Sequence, residues 1–194
     1  MTILYIIIAV VLIGGFWFIG GYNGFVRLKT RAEEAWADID VQLKRRYDLI
    51  PNLVNAVKGY AAHEQGTFDA VTEARAKATQ THVEVGELTP EAVAAMSGAE
   101  AGLTQALGKL MAISENYPEL KANENFLELQ RELSDTENKI QAARRFYNGN
   151  VRDLNMKIEM FPSNIIAGMF SFDKREFFDL DDNQEQRENV KVEF

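Results

Sequence analysis

The first 26 residues, MTILYIIIAVVLIGGFWFIGGYNGFV, carry no charged side chain, and the first charge in the chain is Arg27. A helix that crosses a bilayer needs about 20 mostly apolar residues, because the hydrocarbon core is about 30 Å thick and each residue rises about 1.5 Å. Ile3 to Tyr22 meets that requirement, with Trp17 inside the run and Tyr5 and Tyr22 near its ends, where amphipathic rings favour the interface. A cleaved leader fits less well: no basic region precedes the run, the run is long, and no A-x-A-like site precedes Arg27. The stretch reads as a permanent anchor. Only the α-amine lies before it, whereas Arg27, Lys29, Arg31, Lys44, Arg45 and Arg46 follow, so the positive-inside rule places residues 27–194 in the cytoplasm and the N-terminus outside. Gly20 and Gly24 form a G-x-x-x-G pair, a spacing that permits close helix association; ordinary glycine tolerance in lipid is the plainer account.

Removing the anchor from 194 residues leaves one ordinary domain's worth of chain. Hydrophobic residues make up 46% and charged residues 26%, the balance of a folded rather than a disordered protein. The absence of cysteine excludes disulfides and thiolate metal sites, in keeping with a reducing compartment. The net charge of -8 is unevenly placed, basic next to the anchor and acidic at the end. A basic juxtamembrane patch suits anionic lipid headgroups, and the acidic tail argues against nucleic acid as a partner.

Between residues 27 and 160 helical spacing dominates. Trp36, Ile39, Leu43, Ile50, Leu53, Val57, Tyr60, Val71, Ala74 and Ala78 share one seam of three- and four-residue steps, interrupted by Arg46, Glu64 and Thr67. The seam runs through Pro51. One long helix kinked there is the favoured reading, with a hairpin as the alternative and Gly66 as a second weak point. Thr89-Pro90-Glu91 makes a good helix start, followed by a seam of Met96, Ala99, Leu103, Ala106, Leu110, Ile113 and Tyr117 that Pro118 ends. Asn123 is a plausible cap for a third long helix, seamed by Phe126, Leu129, Leu133, Thr136, Ile140, Ala143, Tyr147, Val151, Leu154, Ile158 and Phe161, with a stutter around Tyr147. Helices with one apolar stripe cannot bury it alone. The expected fold is therefore all-α: an N-terminal transmembrane helix and an elongated antiparallel bundle of three to four long helices. The domain division is an anchor over 1–26, a cytoplasmic bundle over 27–162, and an apolar cap segment with an acidic tail over 163–194.

The residue types that carry chemistry are sparse. His63-Glu64 opens like a zinc-protease H-E-x-x-H, but Thr67 occupies the closing position. Neither His63 nor His82 has the glutamate three residues earlier that a di-iron bundle requires; those positions are Tyr60 and Thr79. No catalytic residues, metal ligands or cofactor are assigned. One polar constellation stands out. Arg45, Arg46, Tyr47, Asp48, Asn52 and Asn55 flank the proline of the first helix, and Arg144, Arg145, Tyr147, Asn148, Asn150 and Asn155 flank the stutter of the last. Meeting in one layer, they would fix helix register; the sharper reading is an arginine-lined pocket. If Arg46, Asp48, Tyr147 and Asn148 bond one another, Asp48→Ala should lower the melting temperature.

Two long stretches carry a resemblance. EAWADIDVQLKRRYDLIPNLVNAVKGYAAHE, and ENYPELKANENFLELQRELSDTENKIQAARRFYNGNVRDLNMKIEMFPSNIIAGMF, resemble the conserved blocks of the LemA family of bacterial membrane proteins, and the likeness extends from the anchor to Val190-Lys191-Val192-Glu193-Phe194. The resemblance implies a single-pass protein of the bacterial inner membrane with a helical-bundle domain and its N-terminus outside. It implies no established enzymatic activity; family members are discussed alongside envelope stress, membrane proteases and, for a magnetosome relative, membrane organisation.

The expected function is a non-enzymatic, membrane-anchored scaffold that self-associates and organises partner proteins at the inner membrane. The rival is a monomeric adaptor presenting its tail to a membrane protease or other envelope client. Two smaller expectations complete the reading. FPSNIIAGMFSF, too short to span, either caps the bundle or lies at the membrane interface, and capping is the plainer choice. The acidic stretch after it reads as mobile up to its final residues. There Val190, Val192 and Phe194 alternate with charged residues like a half-buried strand, so the tail either docks on a partner's sheet edge or is an ordinary frayed end.

Overall fold

The computed structural model describes residues 1–84 and 88–179. Its first helix, α1 (Thr2–Lys58), is 57 residues long and passes without interruption from the apolar stretch into the bundle. Up to Tyr22 its large apolar side chains are mostly exposed, and its most apolar window, of mean hydropathy 2.6, buries nothing against the rest of the chain. That segment is long and apolar enough to cross a membrane. Beyond it, Phe25, Ala32, Ala35, Trp36, Ile39, Leu43, Ile50, Leu53 and Val57 turn one continuous stripe inward.

The helix also runs through Pro51, which lacks the N–H that would bond the carbonyl of Tyr47 one turn earlier. Arg75 fills the gap: its Nε donates to the Tyr47 carbonyl oxygen at 2.7 Å. The orphaned acceptor of a proline-interrupted helix is thus satisfied from the neighbouring helix.

The chain reverses not at Pro51 but over residues 59–64, and α2 (Gln65–Gln80) returns alongside α1. The single seam read from Trp36 to Ala78 therefore belongs to two antiparallel helices. Residues on both sides of the turn kept the same phase, and Tyr60 and Glu64 fell on it within the turn, which hid the break. Next, α3 (Pro90–Ser114) starts on Thr89, whose hydroxyl accepts from the Ala92 N–H at 3.2 Å. A single turn, α4 (Pro118–Lys121), buries Leu120, and α5 (Glu124–Glu159) starts on Asn123, whose side-chain oxygen accepts from the Phe126 N–H at 3.0 Å. The residue-27-to-58 part of α1 with α2, α3 and α5 makes an up-down-up-down four-helix bundle. At its far end the Asn123 amide donates to the Tyr60 hydroxyl at 3.1 Å, tying the two connections together.

Last, α6 (Ser163–Met169) turns back against α1 and α5 at the membrane-proximal end. It closes on a Schellman motif: the Phe172 N–H reaches the Ala167 carbonyl at 3.0 Å, with Ser171 in the left-handed region at φ 52°. Phe161, placed on the α5 seam by spacing, is 79% exposed, because α5 ends at Glu159 before the seam reaches it.

The Arg75–proline relation gives a measurable coupling. Arg75→Met should cost about 1 kcal/mol or more by stranding the Tyr47 carbonyl. In a Pro51→Ala background, where the helix supplies its own N–H, the same substitution should cost less; a double-mutant cycle by chemical denaturation reads the difference.

Candidate functional site

The bundle core contains a fixed charge. Arg46 occupies a seam position of α1 and is fully buried. Its guanidinium pairs with the equally buried Glu100 of α3 and, at 2.9 Å, with Glu137 Oε2 of α5. Its Nη1 also lies 3.5 Å from the Thr104 hydroxyl. Tyr47, the next residue of α1, donates its hydroxyl to the second oxygen of Glu100. Burial pushes the Tyr47 phenol up from its ordinary 10.0 to about 12, so it remains a neutral donor at any physiological pH. Three helices thus meet on one guanidinium, with a carboxylate from each of the two that face it.

Above this cluster α3 and α5 part into a cleft of about 570 Å³, lined by Ala101, Thr104, Gln105, Glu137, Gln141, Arg144 and Arg145. Glu137 is the shared wall: one face grips Arg46, the other opens to the cleft. A more apolar groove of about 390 Å³ continues from it along Leu107, Met111 and Leu133.

The expected polar layer is only partly assembled. Arg46 lies at its centre, but Asp48 and Asn52 are exposed on the far side of α1. Arg45 instead makes a surface pair with Glu132 at 3.3 Å, and Arg144 lines the cleft. The partners, buried Glu100 and half-buried Glu137, were not singled out by sequence; a basic residue on an apolar seam demands acids, but does not say which.

Tyr147 and Asn148 belong to a second, separate arrangement. Asn148 donates to the Phe178 carbonyl at 3.0 Å and accepts the Phe178 N–H at 2.9 Å. Asn155 does the same for Arg175, at 2.8 and 2.9 Å. Seven residues of helix advance about 10.5 Å. Three residues of extended chain advance about 10 Å. The two asparagines are therefore in step with every third residue of a strand-like segment lying along α5. Phe178 enters the core, its ring 5.3 Å from that of Trp36, while Trp36 lies 5.1 Å from Tyr147 and donates its indole N–H to the Val83 carbonyl at 2.9 Å. The Tyr147 hydroxyl donates to the Glu176 carbonyl at 3.0 Å, and Arg175 reaches Glu33 at 2.6 Å. Residues 173–179, expected to be mobile, are clasped; their charged composition concealed one buried aromatic, and the two amides that read their backbone lie on α5. Val190, Val192 and Phe194 lie outside the described residues.

At the membrane end, Gly20 has open space around it, whereas the other member of its pair, Gly24, faces the Lys157 side chain of α5. A Cβ at Gly21 would collide with Ile166 of α6. The small residues here admit this chain's own helices. Of the histidines, His82 bonds Asp40 at 2.9 Å. Among the described residues no three His, Cys, Asp or Glu side chains are grouped to hold a metal.

Comparison with known proteins adds the lineage. The LemA family model matches residues 35–194, which take in nearly all of the bundle together with the C-terminal segment. The chain belongs to the LemA family. It is 28% identical over 174 residues to the magnetosome protein MamQ of Magnetospirillum gryphiswaldense, covering 81% of this chain and 64% of that protein. MamQ 2 of Paramagnetospirillum magneticum is 27% identical over 178 residues, with the same coverages. Protein LemA of Metamycoplasma hominis is 27% identical over 165 residues, 84% of this chain and 72% of that one. The chain thus spans a little under two thirds of the length of its magnetosome relatives.

The buried cluster separates two substitutions that sequence alone would rank otherwise. Glu100→Ala leaves a buried guanidinium short of a partner and should cost roughly 3–5 kcal/mol in chemical denaturation. Asp48→Ala should leave the melting temperature unchanged. The phenol gives a pH test. A folded-state value raised to about 12 from 10.0 holds its stabilisation below pH 10 and loses it as pH rises through 12. Tyr47→Phe should therefore flatten the fall in stability across that window, read as melting temperature against pH.

Proposed function

We propose that this LemA-family chain is a non-enzymatic, membrane-anchored scaffold that self-associates and organises partner proteins at the cytoplasmic face of the bacterial inner membrane. The observation that carries this reading is the unbroken α1. An anchor joined to its domain by a flexible linker only restricts where the domain diffuses. An anchor that is the domain's own first helix also fixes its orientation to the bilayer, as a scaffold needs. Arg27, Lys29 and Arg31, directly after the apolar stretch, support a cytoplasmic bundle. The cleft and apolar groove between α3 and α5 supply a face where a partner helix could lie. Magnetosome relatives are in keeping with a structural role.

A monomeric adaptor for a membrane protease or other envelope client is the second reading, and the clasp favours it. Asn148 and Asn155 hold residues 175–178 in place, so the chain after Asp179 starts from a fixed point on the bundle. Particle mass in mild detergent separates the two. The scaffold predicts oligomers of the full chain at micromolar concentration, and a strictly monomeric particle would leave the adaptor.

A further inference from the structure

The short helix α6 packs only one side against the end of the bundle. Only Ile166 and Ala167 are buried, in a small cluster with Phe25 and Leu154 that is separate from the main core. Around them Met160 is 62% exposed, Phe161 79%, Ile165 52%, Met169 65% and Phe170 44%. Five large apolar side chains within eleven residues make a patch that a water-facing surface does not leave open.

Its place along α1 indicates what covers it. The Phe170 ring lies 5.8 Å from Phe18 and 4.7 Å from Tyr22. Phe172 lies 5.9 Å from Tyr22 and stacks on Phe25 at 4.9 Å. Phe18 and Tyr22 belong to the last turns of the apolar stretch, so α6 stands level with the end of the span. Basic groups lie just beyond: Arg27 and Lys29 are exposed on α1, and Lys174 is paired with Glu159. An apolar face continuous with a lipid-facing helix and bordered by cations matches the headgroup boundary of a bilayer.

We propose that residues 160–170 form an interfacial foot: α6 lies on the membrane surface of the bundle-side leaflet, with Phe161, Ile165, Met169 and Phe170 in the lipid. The occupant of the patch is lipid rather than a second copy, because the patch is continuous, through Phe18 and Tyr22, with the apolar stretch that reads as the span. Two attachments, the span and the foot, would then stop the bundle rotating about the anchor axis. The inference rests on α1 lying in the bilayer, so its test carries a control for that.

The absence of cysteine makes single-site labelling clean. Full-length Ile165→Cys, Met169→Cys, Ile13→Cys and Val41→Cys chains, each carrying a nitroxide, are reconstituted in nanodiscs of phosphatidylcholine and phosphatidylglycerol. Power saturation compares oxygen, which partitions into lipid, with a water-soluble nickel chelate. All four positions are exposed, so labelling should not disturb folding. The foot predicts that labels at 165 and 169 show an oxygen-to-nickel accessibility ratio several-fold above that at 41 and approaching that at 13. If 13 reports lipid while 165 and 169 report water, the foot is wrong and the span stands. Water exposure at 13 as well would remove the span itself. Protection of 165 and 169 from both reagents would mean protein covers the patch, which also overturns the proposal.

Discussion

A permanent positive charge buried on α1 sets the terms for the rest of the bundle. Arginine cannot shed its proton to escape a low-dielectric site, so Arg46 is tolerable only where anions meet it. Glu100 arrives from α3 and Glu137 from α5, and neither can slide by a turn without stranding the guanidinium. Apolar seams alone would permit such slips, since one Leu layer packs much like the next. The charge converts a family of similar packings into one register, a role polar residues at seam positions are known to fill.

The same logic explains why α2 stands where it does. Pro51 opens an acceptor on α1 at Tyr47, and Arg75 closes it. Tyr47 thus touches α3 through its hydroxyl and α2 through its carbonyl, next to the residue that gathers α3 and α5. Two neighbouring residues of one helix bring in the other three. At the opposite end the small cluster of Phe25, Leu154, Ile166 and Ala167 is independent of this network, so the membrane junction and the bundle centre are separately held.

What could be read from the sequence was what is encoded locally. The span, the caps at Thr89 and Asn123, and the seams of α3 and α5 depend on a few adjacent residues, and the structure places each near where periodicity puts it. The long-range facts were not readable. Arg46 advertised a need for acids, but its partners lie 54 and 91 positions away, among 29 acidic residues. The turn at 59–64 was invisible because the apolar phase survived it by coincidence. The clasp was missed for another reason. Asparagine amides that read main chain leave no pattern in the segment they hold, apart from the single Phe178.

The unbroken passage of α1 from the apolar stretch into the bundle also gives the molecule the geometry of a lever. From residue 27 to 58 the helix extends about 47 Å, so tilting the span by about 10° sweeps the distal turn through about 8 Å. Apolar helices tilt to match the thickness of the bilayer around them. With the apolar stretch in a bilayer, a tilt at the anchor would be carried to the far tip of the bundle, where Tyr60 and Asn123 meet.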